Sequence, residues 1–179
     1  MADKFWVSTI ASNWNNTANW SLSSGGPGGA PVPVQADTAY FDSSARGPCS
    51  VDAVASVTKF VFNGYNAAIS GALDTTNLDL QYGYVSDATV RVAGDVYGRS
   101  TYGAWSPGNS MIIAFNGDST TDPQHLYNGN GCVLPTIMVD NTVIPMVMLD
   151  GTGPLLINGD FRLMSGTVNT NGLDIQVGR

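Results

Sequence analysis

Ser70-Gly71-Ala72-Leu73-Asp74-Thr75-Thr76-Asn77-Leu78-Asp79-Leu80-Gln81-Tyr82-Gly83 returns 95 positions later as Ser165-Gly166-Thr167-Val168-Asn169-Thr170-Asn171-Gly172-Leu173-Asp174-Ile175-Gln176-Val177-Gly178, with seven of fourteen positions identical. In each copy a Thr-containing turn leads into Leu-Asp-Leu or Leu-Asp-Ile, where period two puts the aliphatics on one face and the Asp on the other. Each copy therefore reads as one corner and one strand of a coil. A shorter echo links Val90-Arg91-Val92-Ala93-Gly94-Asp95-Val96 to Leu155-Leu156-Ile157-Asn158-Gly159-Asp160-Phe161. Similar corners are expected wherever a coil turns the same way, so the reading predicts that the two long segments hold matching places in stacked coils.

Working outward, the chain beyond Cys49 is a series of short β-like runs, among them Val57 to Phe62, Thr89 to Val92, Met111 to Phe115, Thr136 to Val139 and Leu155 to Ile157. Turn signals separate them, such as Asn63-Gly64, Gly94-Asp95, Asp150-Gly151 and Asn171-Gly172. These residues tolerate left-handed backbone angles at little cost. The fold class is all-β, expected as a short right-handed parallel β-helix, with an antiparallel jelly-roll sandwich as the alternative.

Composition agrees. Of 179 residues, 12% are charged, all fourteen acidic residues are Asp, and only Lys4 and Lys59 are lysines, so strong polar helix formers are nearly absent and helical bundles are excluded. A net charge of -7, with seven scattered basic residues, opposes binding to phosphate backbones. No nucleic acid partner is expected. No apolar run approaches the length of a bilayer-spanning helix, and the N-terminus lacks the pattern of a secretory signal, so the expected setting is a cytoplasm without a membrane partner. Cys49 and Cys132 each sit in an apolar run and read as free, buried thiols.

Residues 1–48 read as an N-terminal cap or arm and residues 49–179 as the solenoid body. The first segment carries Trp6, Trp14 and Trp20, an Asn cluster and the loop Ser23-Ser24-Gly25-Gly26-Pro27-Gly28-Gly29-Ala30. Three large aromatics so close together would close the end of a sheet stack or clasp a neighbouring subunit. The Gly-rich loop lacks the Gly-Lys-Ser/Thr of a phosphate cradle and reads as a turn.

Three segments carry a resemblance to a known group. Trp14-Asn15-Asn16-Thr17-Ala18-Asn19-Trp20-Ser21, with Val32-Pro33 and Ala36-Asp37-Thr38-Ala39-Tyr40-Phe41-Asp42 after the Gly loop, is one. The others are Ser50 to Tyr65, with Val57-Thr58-Lys59-Phe60-Val61-Phe62-Asn63-Gly64-Tyr65, and the corner Gly166-Thr167-Val168-Asn169-Thr170-Asn171-Gly172. Together they resemble Gly/Asn/Thr-rich β-solenoid proteins of bacteriophage virion surfaces, tail-fibre-like proteins and bacterial surface proteins. The resemblance implies a non-enzymatic structural protein of a virion surface: a capsid decoration, head fibre or tail fibre component, made in the host cytoplasm. Its expected partners are other copies of itself, as a homotrimer, and other virion proteins. The alternative is a glycan-binding adhesin that meets a host surface glycan.

Catalytic groups are weighed one by one. His125, the sole histidine, lies in the turn-like Thr121-Asp122-Pro123-Gln124-His125, and no motif announces a Ser and Asp to complete a triad. Asp95, Asp118, Asp150 and Asp160 sit at Gly-Asp or Asp-Gly corners without the spacing of Ca²⁺-binding nonapeptides. No catalytic residue, metal site or cofactor is expected. Tyr82, Tyr84, Tyr97, Tyr102 and Trp105 cluster where the repeat breaks down and form the expected platform for a glycan or partner.

Overall fold

Along Ser86–Val92, Ala88, Val90 and Val92 are buried while Arg91 is exposed, the alternation expected of a strand with one face on a core. The computed structural model describes residues 1–83, 85–99, 110–117, 123–129, 132–141 and 146–178. Its strands stack as parallel coils in a β-solenoid of about six turns, and only 2% of the chain is helical. Among the described strand pairs the one antiparallel contact is Asp3–Trp6 with Trp20–Ser21; every other pair is parallel, which rules out the jelly roll.

Three ladders wrap the core. In the first, Leu73, Val90, Ile113, Ile137 and Phe161 are register partners on successive coils. In the second, Phe60, Leu78, Val96, Leu126 and Leu149 do the same. Leu134, Ile157 and Val177 form the third, in a separate three-stranded sheet. Each buried Leu, Ile, Val or Phe contributes about 1.5–3 kcal/mol from removal of apolar surface, so stacked columns of them are the main cohesive force. Coils about 4.8 Å apart satisfy each other's backbone groups, and the shape follows from that spacing.

The twin segments do not hold matching places. Leu73 shares its column with Phe161, whereas its sequence twin Val168 pairs with Val147 in the second ladder. Leu78 lies in the second ladder, but the twin stretch has by then turned at Asn171 and Gly172, both at positive φ, into Ile175–Val177 of the third. The shorter echo slips likewise, since Val90 is in the first ladder and Leu155 in the third. Both segments do run parallel to their neighbours. The repeated unit is thus the corner and not the coil: a small-residue turn followed by alternating aliphatics suits any corner of a three-sided coil, and nothing in that pattern specifies which one.

Residues 1–48 join the same sheet and the same core as the rest. Asp3–Trp6 pairs with Thr38–Asp42, which pairs with Ala55–Tyr65. Trp6, Trp14 and Trp20 are buried against Phe41 and Phe60, with Trp20 edge-on to Trp6 at 5.3 Å and to Trp14 at 4.6 Å between ring centroids. Their polar handles are satisfied: Trp6 Nε1 donates to the Gly47 carbonyl at 3.0 Å and Trp20 Nε1 to the Trp14 carbonyl at 2.8 Å. Tyr65 donates its hydroxyl to the same Gly47 carbonyl at 2.8 Å. A Cβ on Gly47 would overlap the Ile10 backbone, so this convergence needs glycine. The last coil is less covered. Leu163 is 51%, Met164 67% and Val177 47% exposed.

Candidate functional site

Period-two alternation in Val96–Gly98 and Gln124–Asn128 sends Val96, Leu126 and Asn128 inward and Tyr97, His125 and Tyr127 outward. Parallel register then aligns Asp79, Tyr97, Tyr127 and Asp150 in one outer column across four coils. The Tyr97 and Tyr127 rings stack at 4.8 Å with a 5° interplanar angle, and His125 lies nearly parallel to Tyr127 at 5.5 Å. Arg99 sits over the Tyr97 ring, 5.8 Å from its centroid. A second stacked pair, Phe5 and Tyr40 at 4.6 Å, continues the column toward the N-terminal end.

Charges hold this surface together. Asp79 points outward yet is 2% exposed, because Lys59 and Arg99 close over it. It accepts from Lys59 Nζ at 3.0 Å, Arg99 Nε at 3.1 Å, Arg99 Nη2 at 3.2 Å and Gln81 Nε2 at 3.2 Å. Burial alone would raise its pKa; the hydrogen bonds from Arg99, Lys59 and Gln81 outweigh that and hold the carboxyl below its ordinary range. His125 Nδ1 lies 2.6 Å from Asp150 Oδ2. Asp95 accepts from the His125 backbone N–H at 2.9 Å and from the Tyr97 hydroxyl at 3.2 Å. Burial first, and then the Asp95 charge, push the Tyr97 phenol above its usual value; Tyr127 is raised by the same burial and by Asp95 and Asp150. Both phenols therefore remain protonated donors at neutral pH.

Beside the stack lies an open groove of about 490 Å³, lined by Tyr97, Arg99, Tyr127, Asn128 and Asp150 with glycines between them. The glycine at 98 is required by packing from inside, since a Cβ there would come 2.9 Å from Cys132 Sγ and 3.3 Å from Leu134 Cδ2. A second, more polar notch of about 510 Å³ lies near the N-terminal end, between Ser12, Asn13, Asn15, Asn16 and Asp52. Among the described residues no three His, Cys or Asp side chains converge as a metal cluster, and no helix is long and apolar enough to cross a membrane.

Of the residues singled out from sequence, Trp6, Trp14 and Trp20 are buried within their own chain. Tyr97 lines the groove; Tyr82, 57% exposed, does not. Tyr84, Tyr102 and Trp105 lie outside the described residues. Tyr97 offers no open ring face, because Tyr127 and Arg99 occupy its surroundings. Sequence reasoning missed Tyr127 and Arg99, and weighed Asp150 only as a corner residue. The outward alternation of Tyr97 with Arg99 and of His125 with Tyr127 was available as a signal; their alignment required the register. The free thiols of Cys49 and Cys132 are buried, and burial pushes each pKa up to about 12, with the Asp52 charge adding to the effect at Cys49. No protein-family model, curated protein or solved structure matches the chain.

Proposed function

We propose that the protein is a non-enzymatic structural component of a bacteriophage virion surface, a short rod that assembles with copies of itself and with other virion proteins. The observation that carries this reading is the exposed apolar edge at Leu163, Met164 and Val177, which another subunit or further coils of the same kind would cover. The first coils are closed by buried tryptophans and by the antiparallel strand Trp20–Ser21, whereas Leu163, Met164 and Val177 of the final coil are about half exposed or more. Unpaired strand edges with apolar side chains are surfaces that pair with further β-structure. The phage setting rests on the resemblance of the Trp14–Ser21, Ser50–Tyr65 and Gly166–Gly172 segments, and the assembly on the final coil.

Native mass spectrometry of the full chain tests it. A trimer or another defined oligomer that dissociates on Leu163→Lys, with the circular dichroism spectrum retained, is the expected result. A monomer at all concentrations, or an oligomer indifferent to Leu163→Lys, overturns assembly through this end.

A further inference from the structure

We propose that Asn171-Gly172, in the turn between Thr167–Asn169 and Ile175–Val177, is a site of spontaneous covalent modification, where water converts the asparagine to aspartate and isoaspartate through a cyclic imide. The inference stands apart from assembly through the final coil. Imide formation asks three things of an Asn-Gly pair: a glycine nitrogen outside any hydrogen bond, room for the glycine to swing toward the side chain, and access for water. Five Asn-Gly pairs lie among the described residues, and a sixth, Asn130-Gly131, lies outside them. Four of the five fail. Asn63 and Gly64 lie inside the strand Ala55–Tyr65, both in register with Asp42, and Gly64 is buried. The Gly117 N–H donates to Gln124 Oε1 at 3.0 Å, and the Gly129 N–H to the Gly98 carbonyl at 2.7 Å. Gly159 is pressed against Thr136, whose backbone nitrogen would lie 2.8 Å from a Cβ added there.

The pair at Asn171 differs on every count. Both of its residues are exposed, the Gly172 N–H makes no hydrogen bond to a described residue, and a Cβ on Gly172 would meet nothing within 4 Å. The φ angles of 50° and 78° are those of a type I′ turn, closed by the Leu173 N–H donating to the Thr170 carbonyl at 2.9 Å. Attack requires Asn171 to leave those angles. An exposed turn on the last coil opens locally, without unfolding the core.

In the reaction the Gly172 nitrogen, its proton lost to hydroxide, bonds to Cγ of Asn171. The side-chain amide nitrogen leaves as ammonia, taking a proton from water. Water then adds to either carbonyl of the five-membered imide and opens it, leaving aspartate or rerouting the main chain through the former side chain. One water is consumed, one ammonia is released, and nothing is oxidised. Asn171 Nδ2 lies 3.5 Å from Asp150 Oδ1, so the aspartate product sets a carboxylate against a carboxylate. The isoaspartate product adds a carbon to the main chain of a tight turn. Both loosen the pairing of Ile175–Val177 with Leu155–Ile157.

The test incubates the full chain at mildly alkaline pH in water enriched in heavy oxygen, once folded and once in urea, and follows each Asn-Gly peptide over time by mass spectrometry. In the folded chain, labelled aspartate and isoaspartate peptides, equal in mass and resolved by chromatography, should accumulate at Asn171 at least about tenfold faster than at Asn63, Asn116, Asn128 or Asn158. In urea that spread should collapse. Hydrogen exchange of the converted chain should quicken at Ile175–Val177 and stay unchanged at Thr38–Asp42. The proposal is overturned by another of these sites converting first in the folded chain, or by an intact Asn171 when the urea sample has converted. Aspartate without isoaspartate, or unchanged exchange at Ile175–Val177, would overturn the imide route and the loosening respectively.

Discussion

The first coils and the last differ in how they end, although both are built from the same corner chemistry. At the N-terminal end Trp6, Trp14, Trp20, Phe41, Phe60, Phe62 and Tyr65 are all fully buried. On the last coil Phe161, Val168, Leu173 and Ile175 are partly buried against the core, and Leu163, Met164 and Val177 are about half exposed or more. A coil is stabilised by what covers each of its edges. On the N-terminal coils the replacement for solvent is a set of large aromatic side chains whose polar atoms are bonded to nearby carbonyls.

The largest effect should come from removing that replacement. Trp14→Ala empties a site that is 1% exposed and should cost about 3–5 kcal/mol in denaturant unfolding, whereas Met164→Ala should change stability by no more than about 0.5 kcal/mol. Equal effects at the two positions would erase the contrast.

Next in size is the difference between two ion pairs. Asp79→Asn strips a covered carboxylate of its role between Lys59 and Arg99 and should cost about 1–3 kcal/mol, less than a fully buried pair because both cations reach water. Asp160→Asn, in the solvent-exposed pair with Arg162 near the final coil, should shift stability by no more than about 0.5 kcal/mol. The pH dependence has a definite sign. The folded Asp79 pKa is depressed, so its contribution is present above the unfolded carboxylate value of about 3.9 and is lost as pH falls through the lower folded value. Asp79→Asn should flatten the acid limb of the unfolding curve there, and an unchanged limb would remove the linkage.

The smallest effect is kinetic. Cys132 directly precedes the third ladder, where Val133–Leu134 is two coils from the end, whereas Cys49 lies in Cys49–Ser50 beside the tryptophan cluster. Both thiols are buried, so alkylation reports opening. Cys132 should react about tenfold faster than Cys49 if the uncovered end frays first, as peptide mapping of a timed iodoacetamide reaction would show. Equal rates would mean that the solenoid opens as one unit.

The strand positions were readable because residue type is local. Val57 to Phe62 and Met111 to Phe115 are short runs rich in apolar, β-branched and aromatic residues, although the first continues through Asn63-Gly64 to Tyr65. Parallel stacking was also legible, through corners that recur. Which corner matches which was not. The segments beginning at Ser70 and Ser165 share half their residues yet lie on different ladders, because coil length varies between them and the pattern is indifferent to the face it covers. The candidate groove was half legible: Tyr97 stood out as an aromatic in a Gly-rich stretch, but Tyr127 and Asp150 became its neighbours only through register.

From its residues alone, this chain was bound to form strands around an aliphatic interior, because strong polar helix formers are nearly absent and Asp, Asn and Gly interrupt its apolar runs. Trp6, Trp14 and Trp20 were bound to cover something, a sheet end or a neighbouring subunit, and only the fold showed them buried together within their own chain. The stacking of coils decided the rest. Register placed Asp79 beneath Arg99, Tyr97 against Tyr127 and His125 beside Asp150, and these are contacts between residues a coil or more apart. A pairing at that separation depends on the length of every loop between, which no local pattern encodes.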